Sequence, residues 1–151
     1  MKRSSRMEKL NAINNGIKSL AGASLARAEN EYTTQAQQLE QLQIYKEEYA
    51  DQLKERLENN VSPEEMKDYR YFFSSLYKAI SQQESTVRHL KAQVDECRKE
   101  WLSKEQEVRK LNVISENLRL AEDHADARLE QKATDEMNTL AFGRYSVGHK
   151  H

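Results

Sequence analysis

The sequence predicts an all-α protein: an antiparallel two-helix coiled-coil hairpin drawn out into an elongated rod. Three observations carry that prediction: a sustained heptad seam in the second half, a scarcity of helix breakers, and one legible turn. The seam reads Phe73, Leu76, Ile80, Gln83, Val87, Leu90, Val94, Cys97, Trp101, Lys104, Val108, Leu111. Apolar or near-apolar residues thus alternate in steps of four and three, a 3.5-residue period held for roughly five and a half heptads. Only one Pro and four Gly interrupt 151 residues. A compact globule of this length needs more turns and more apolar area than that.

Residues 1–6 read as a flexible N-terminus, and the coiled coil as residues 7–141. The first helix is expected over about residues 7–58, with a seam of Leu10, Ile13, Ile17, Leu20, a stretch of small residues, then Tyr32, Gln35, Leu39, Leu42, Tyr49 and Leu53. Asn59 and Asn60 end it, because Asn competes with the helical backbone and favours turns. The turn occupies residues 59–62. Ser62-Pro63-Glu64-Glu65 then reads as a capping box, with Ser62 as N-cap, Pro63 in the first helical position and Glu65 reaching back to the cap amide. The acidic first turn also suits the helix dipole. The second helix runs over about residues 63–140, and residues 142–151 form a flexible tail.

So short a connection makes the helices antiparallel, with residue i facing roughly residue 121 minus i. That register sets Trp101 opposite Leu20, beside Ala21, Gly22 and Ala23, where missing side-chain volume leaves room for an indole. It also leaves the second helix overhanging the first by about twenty-five residues. The overhang carries Ile114, Leu118, Ala121, Ala125, Leu129, Ala133 and Met137. The step Val108, Leu111, Ile114 reads as a stammer, which shifts the seam where the first helix runs out. An apolar stripe without an internal partner calls for an external one.

The composition is 37% hydrophobic and 32% charged, with a mean hydropathy of -0.98, as long solvated helices require. Net charge is -1, so bulk electrostatics selects no partner. Residues 1–30 are locally basic and residues 31–60 acidic, which suits solvated faces or an oriented docking event. Cys97 is the only cysteine, so no disulfide framework or thiolate metal site is expected, and on the seam it acts as a small hydrophobe. No apolar run approaches the ~20 residues of a membrane span, and MKRSSRMEKL lacks the apolar stretch of a signal peptide. The expected location is the cytoplasm.

Chemistry has little purchase on such a chain. No phosphate-binding glycine loop, HExxH or GxSxG occurs. The histidines are scattered, with His89 and His124 far apart and His149 and His151 in the tail. Carboxylates on a two-helix rod face water, where no burial tunes them for catalysis. The expectation is no catalytic residue, no metal and no cofactor. Lys2, Arg3, Arg6 and Lys9 precede a coiled coil, but four charges without an aromatic platform or a parallel fork do not make a nucleic-acid reader.

The informative surface is aromatic. Tyr45 and Tyr49 lie one turn apart and face Leu76 and Phe72, with Tyr69, Tyr71, Phe73 and Tyr77 nearby. Two helices share one seam and cannot hide all of these rings. They either form a protein-binding hot spot or pack among themselves at the hairpin end.

Over about residues 31–140 the sequence resembles the flagellar type III export protein family FliJ. The resemblance lies in QLEQLQIYKEEYADQL, in YRYFFSSLYKAISQQ, and in the stretch from Val94 to Lys104 with Trp101. It implies a non-enzymatic coiled coil similar to the rotor stalk of rotary ATPases. Its implied partners are the hexameric export ATPase, the cytoplasmic domain of the export gate, and export chaperones, which makes it peripheral to the cell membrane on the cytoplasmic side. The family's gate-binding patch falls here on Gln38, Leu42, Tyr45, Tyr49, Phe72, Leu76, Ala79 and Gln83. By the stalk analogy the ATPase contact lies toward the termini. Two other readings are the equivalent stalk of a virulence type III injection system and a structural coiled-coil dimer. Gln83 and Lys104 on the seam weigh against a long uniform homodimer.

Overall fold

The computed structural model describes the backbone of residues 2–148 and the side chains of residues 2–143. Among these residues the fold is two helices, α1 (Arg3–Glu58) and α2 (Pro63–Gly148), packed antiparallel as a hairpin. α1 ends where Asn60 takes a left-handed backbone, φ 62°, a conformation that Asn tolerates better than other side chains. The amide of Asn59 donates to the Arg56 carbonyl at 3.0 Å and closes the last turn. At the restart the Ser62 hydroxyl accepts from the Glu65 amide at 3.2 Å, so the expected N-cap forms. The other half of the box does not. Glu65 Oε2 instead accepts from Arg56 Nη2 at 2.6 Å, bracing the turn between its two flanking helices.

The chain divides into two compact units, one spanning Ile17–Lys104 and one combining the terminal segments up to Gly16 and from Glu105. In the first unit the buried core lies on α2: Leu76, Ile80, Leu90 and Val94. Gln83, Val87, Cys97 and Trp101 are half-buried between them, in the order the heptad predicts. Facing them on α1 are Leu25, Tyr32, Gln35, Leu39, Leu42, Tyr49 and Leu53, all half-buried. One rung is polar. Gln83 Nε2 donates to the Gln35 carbonyl at 2.9 Å and to its Oε1 at 2.7 Å, a pairing that only one register satisfies.

The same heptad carries back along α1 on unexpected residues. Counting from Tyr32 and Gln35, the inward positions are Ala28, Leu25, Ala21, Lys18, Asn14, Asn11, Met7 and Ser4, and each is buried or half-buried. The expected seam of Leu10, Ile13, Ile17 and Leu20 is one residue out of phase with this series, and all four side chains are exposed. The physical reason is continuity: bringing those four inward requires a break in the helical repeat, and the ladder of α1 has none. Trp101 therefore packs on Gly22, not Leu20. A Cβ on Gly22 would sit 3.3 Å from the indole Nε1, while Leu20 is 71% exposed.

In the terminal unit the expected stammer is also absent. The seam of α2 continues in strict heptads through Val108, Leu111, Ser115, Leu118 and Glu122, of which Val108 and Ser115 are buried. Ile114, which the stammer would have turned inward, is 45% exposed. α1 starts four residues ahead of the expected Met7 because α2 supplies its cap. The Ser4 amide donates to Glu122 Oε1 at 3.1 Å and its hydroxyl to Oε2, satisfying donors that a helix start leaves free. Lys2 adds an ion pair to Asp126 at 2.8 Å. Pairing thus reaches Asp126, and the uncovered part of α2 begins later than expected. Beyond it Leu129, Met137, Leu140 and Phe142 are exposed. The helix continues through Gly148 where a flexible tail was expected, and residues 149–151, with His149 and His151, lie outside the described residues.

Candidate functional site: two aromatic flanks beside the turn

A two-stranded coiled coil buries its a and d positions and leaves the e and g positions as two flanks of the seam. Near the turn the two flanks of this hairpin differ. One carries Tyr45 and Phe72 at g positions beside Tyr49 at d. Tyr45 and Tyr49 rings lie 4.6 Å apart edge to face, Tyr49 lies 4.3 Å from Phe72, and the Tyr45 hydroxyl donates to the Tyr49 oxygen at 3.2 Å. That hydrogen bond, with partial burial and the Glu48 carboxylate, raises the Tyr45 phenol pKa above its ordinary value. Tyr45 is 42% exposed. The three rings fix one another in place, and rigid aromatic area next to water is what binding hot spots are made of.

The eight residues of the expected patch fall on the g and d positions of this flank. Gln38 and Ala79 are exposed, and Leu42, Tyr49 and Phe72 are half-buried. Leu76 is buried in the seam, and the Gln83 amide is spent on Gln35. The outward members are therefore Gln38, Tyr45, Ala79 and the edges of Leu42, Tyr49 and Phe72. Gln38, Gln41, Leu42 and Tyr45 line a shallow groove of about 340 Å³. Tyr49, Arg56, Glu65, Asp68, Tyr69 and Phe72 line another of about 440 Å³.

The aromatic chain crosses the seam. Phe72 meets Phe73 at 5.7 Å, and Phe73 meets Tyr77 at 6.3 Å. Tyr77 lies on the other flank, under the Lys46 ammonium at 5.7 Å. Here Ala50, Leu53, Met66, Tyr69, Phe73 and Tyr77 form the floor of a larger groove, about 670 Å³. Sequence reasoning grouped these rings with Tyr45 and missed that the seam separates them. The available signal was the e position, where Ala50, Leu57 and Tyr77 widen the apolar stripe beyond a and d.

Among the described residues no group of His, Cys, Asp or Glu could hold a metal ion, and no helix is long and apolar enough to cross a membrane. The terminal unit offers a different feature, an inverted pattern. Polar Ser4, Asn11 and Ser115 face inward, with Asn11 bonded to Asn112 and Ser4 to Glu122. Leu10, Ile13, Val113, Ile114 and Leu120 face outward.

Two long helices folded back on each other over a heptad seam define the class of antiparallel coiled-coil hairpins. Residues 3–146 match the family model described as Flagellar FliJ protein. The chain belongs to that family, whose members are components of the flagellar export apparatus. No curated protein and no solved structure matches the chain significantly.

Proposed function

We propose that this protein is a rotor-stalk-like coupling element that links the hexameric export ATPase to the export gate and helps to handle export chaperones during flagellum assembly. It works in the cytoplasm, peripheral to the cell membrane through the apparatus it joins. The observation that carries the reading is the interlocked set of Tyr45, Tyr49 and Phe72, held half in water on the flank where the family patch falls. Support for the ATPase contact comes from the inverted terminal unit, whose outward Leu10, Ile13 and Ile114 are exposed. Burying such side chains against a ring gains about 25 cal/mol per Å².

The test is a pull-down on the cytoplasmic domain of the gate. Tyr45→Ala, at an exposed g position, should weaken gate binding roughly thirtyfold, the ~2 kcal/mol typical of a hot-spot ring, with melting nearly unchanged. Adding Tyr49→Ala should abolish binding and motility while lowering the melt modestly, because Tyr49 packs on Phe72. ATPase stimulation should survive both. Normal gate binding by the double variant would remove the gate from this reading.

A further inference from the structure

We propose that the flank opposite Tyr45, the groove floored by Leu53, Met66, Phe73 and Tyr77, is a second docking surface that takes an acidic amphipathic α-helix of a partner protein. The first argument is shape. The groove runs from Met66 to Lys78 along α2, about 18 Å or more than three helical turns. Ala50 at an e position leaves a dent in its wall that a knob from a third helix fills. A helix laid there turns the two-stranded coil locally into a three-helix bundle, with its i, i+3 and i+7 apolar side chains set between Leu53 and Phe73.

The second argument is charge. The groove is lined by Arg70 and Lys78 and by no carboxylate. Lys46 holds its ammonium over the Tyr77 ring on the same flank. Neither Arg70 nor Lys78 enters an ion pair within the described residues, so both cations are available at the rim. The opposite flank carries the reverse sign: Asp68 and Glu65 line its groove, with Arg56 already bound to Glu65, and Glu48 stands close enough to act on the Tyr45 phenol. Two apolar surfaces that share one aromatic chain are thus distinguished by charge, which selects between partners of similar shape. A helix with Glu or Asp bordering its apolar face suits the basic flank and is repelled by the acidic one.

This inference stands apart from the gate reading, and its test keeps the two apart. The probe is a synthetic helical peptide of about eighteen residues, Leu and Ala on one face and Glu on the other, with a photoreactive group on the apolar face. Its control carries Lys in place of Glu. Binding to the full chain is read by fluorescence anisotropy, and crosslinks are mapped by mass spectrometry. The acidic peptide should bind at least tenfold more tightly than the control, weaken as salt rises, and crosslink to Leu53, Met66 or Phe73. Arg70→Glu with Lys78→Glu, both at exposed positions, should lower its affinity at least tenfold. Tyr45→Ala should leave it unchanged. Equal binding of the two peptides, crosslinks at Tyr45 or Tyr49, or occupation of the groove by a second copy of the chain in sedimentation would each overturn the proposal.

Discussion

At the residue scale, the indole of Trp101 packs against Gly22. Sequence alone signals that the indole needs small neighbours, and Ala21, Gly22 and Ala23 supply them. It does not give the exact opposite residue, because a register counted from the turn drifts over many heptads. The contact lies two residues from the expected Leu20. A Cβ on Gly22 would stand 3.3 Å from Nε1 and 3.4 Å from Cδ1 of the ring, so larger side chains there must displace it. Gly22→Leu should destabilise the hairpin by about 2 kcal/mol through overpacking. Trp101→Ala should cost about 2 kcal/mol, below the ~3–5 of a fully enclosed ring, because the indole is half-exposed. The double variant should cost less than the sum of the two in thermal melts, since each change relieves the defect of the other. Strict additivity would mean that the two residues do not meet.

At the scale of the helix, the start of α1 depends on an interaction no local motif announces. Ser62 and Glu65 could be read as a cap because both lie within four residues. Ser4 is capped by Glu122, 118 positions away, and sequence patterns carry no such information. The hydrogen bonds from the Ser4 hydroxyl and amide, reinforced by Lys2, hold the Glu122 carboxyl below its usual value of 4.5. A depressed folded pKa means that the unfolded segment binds protons first as pH falls. Stabilisation from this cap is therefore complete above about 4.5 and is lost as pH drops through the lower, folded value. The protection of amides 4–7, relative to their unstructured exchange rate at the same pH, should fall below pH 4.5 in the native chain and lose that acid dependence in Glu122→Gln. A start of α1 indifferent to both would place its cap elsewhere.

At the scale of the whole molecule, the seam from Phe73 to Leu111 was legible and the first quarter was not, for one reason. Apolar periodicity reveals which face of a helix is greasy, and that face is the buried one only when the helix is optimised for its own fold. From Leu25 onward the two agree. Before it they part by a single residue, and Leu10, Ile13, Ile17 and Leu20 stand outside while Asn11, Asn14 and Lys18 stand inside. The candidate site was legible by composition, since Tyr45, Tyr49 and Phe72 do come together, but its division into two flanks needed three-dimensional placement. Deleting Ala21 should restore the phase while leaving Gly22 under Trp101, moving Leu10, Ile13, Ile17 and Leu20 into the places of Asn11, Asn14, Lys18 and Ala21. The free protein should then gain on the order of 3 kcal/mol from apolar burial, visible as a higher melting point, and lose stimulation of the ATPase. A lower melting point would show that the polar rungs, not a waiting partner, account for the phase. The one-residue offset also bears on dosage. A chain that keeps its greasy side outward is safest when made in step with whatever covers it, and surplus copies should be the first to clump or to be degraded in the cell.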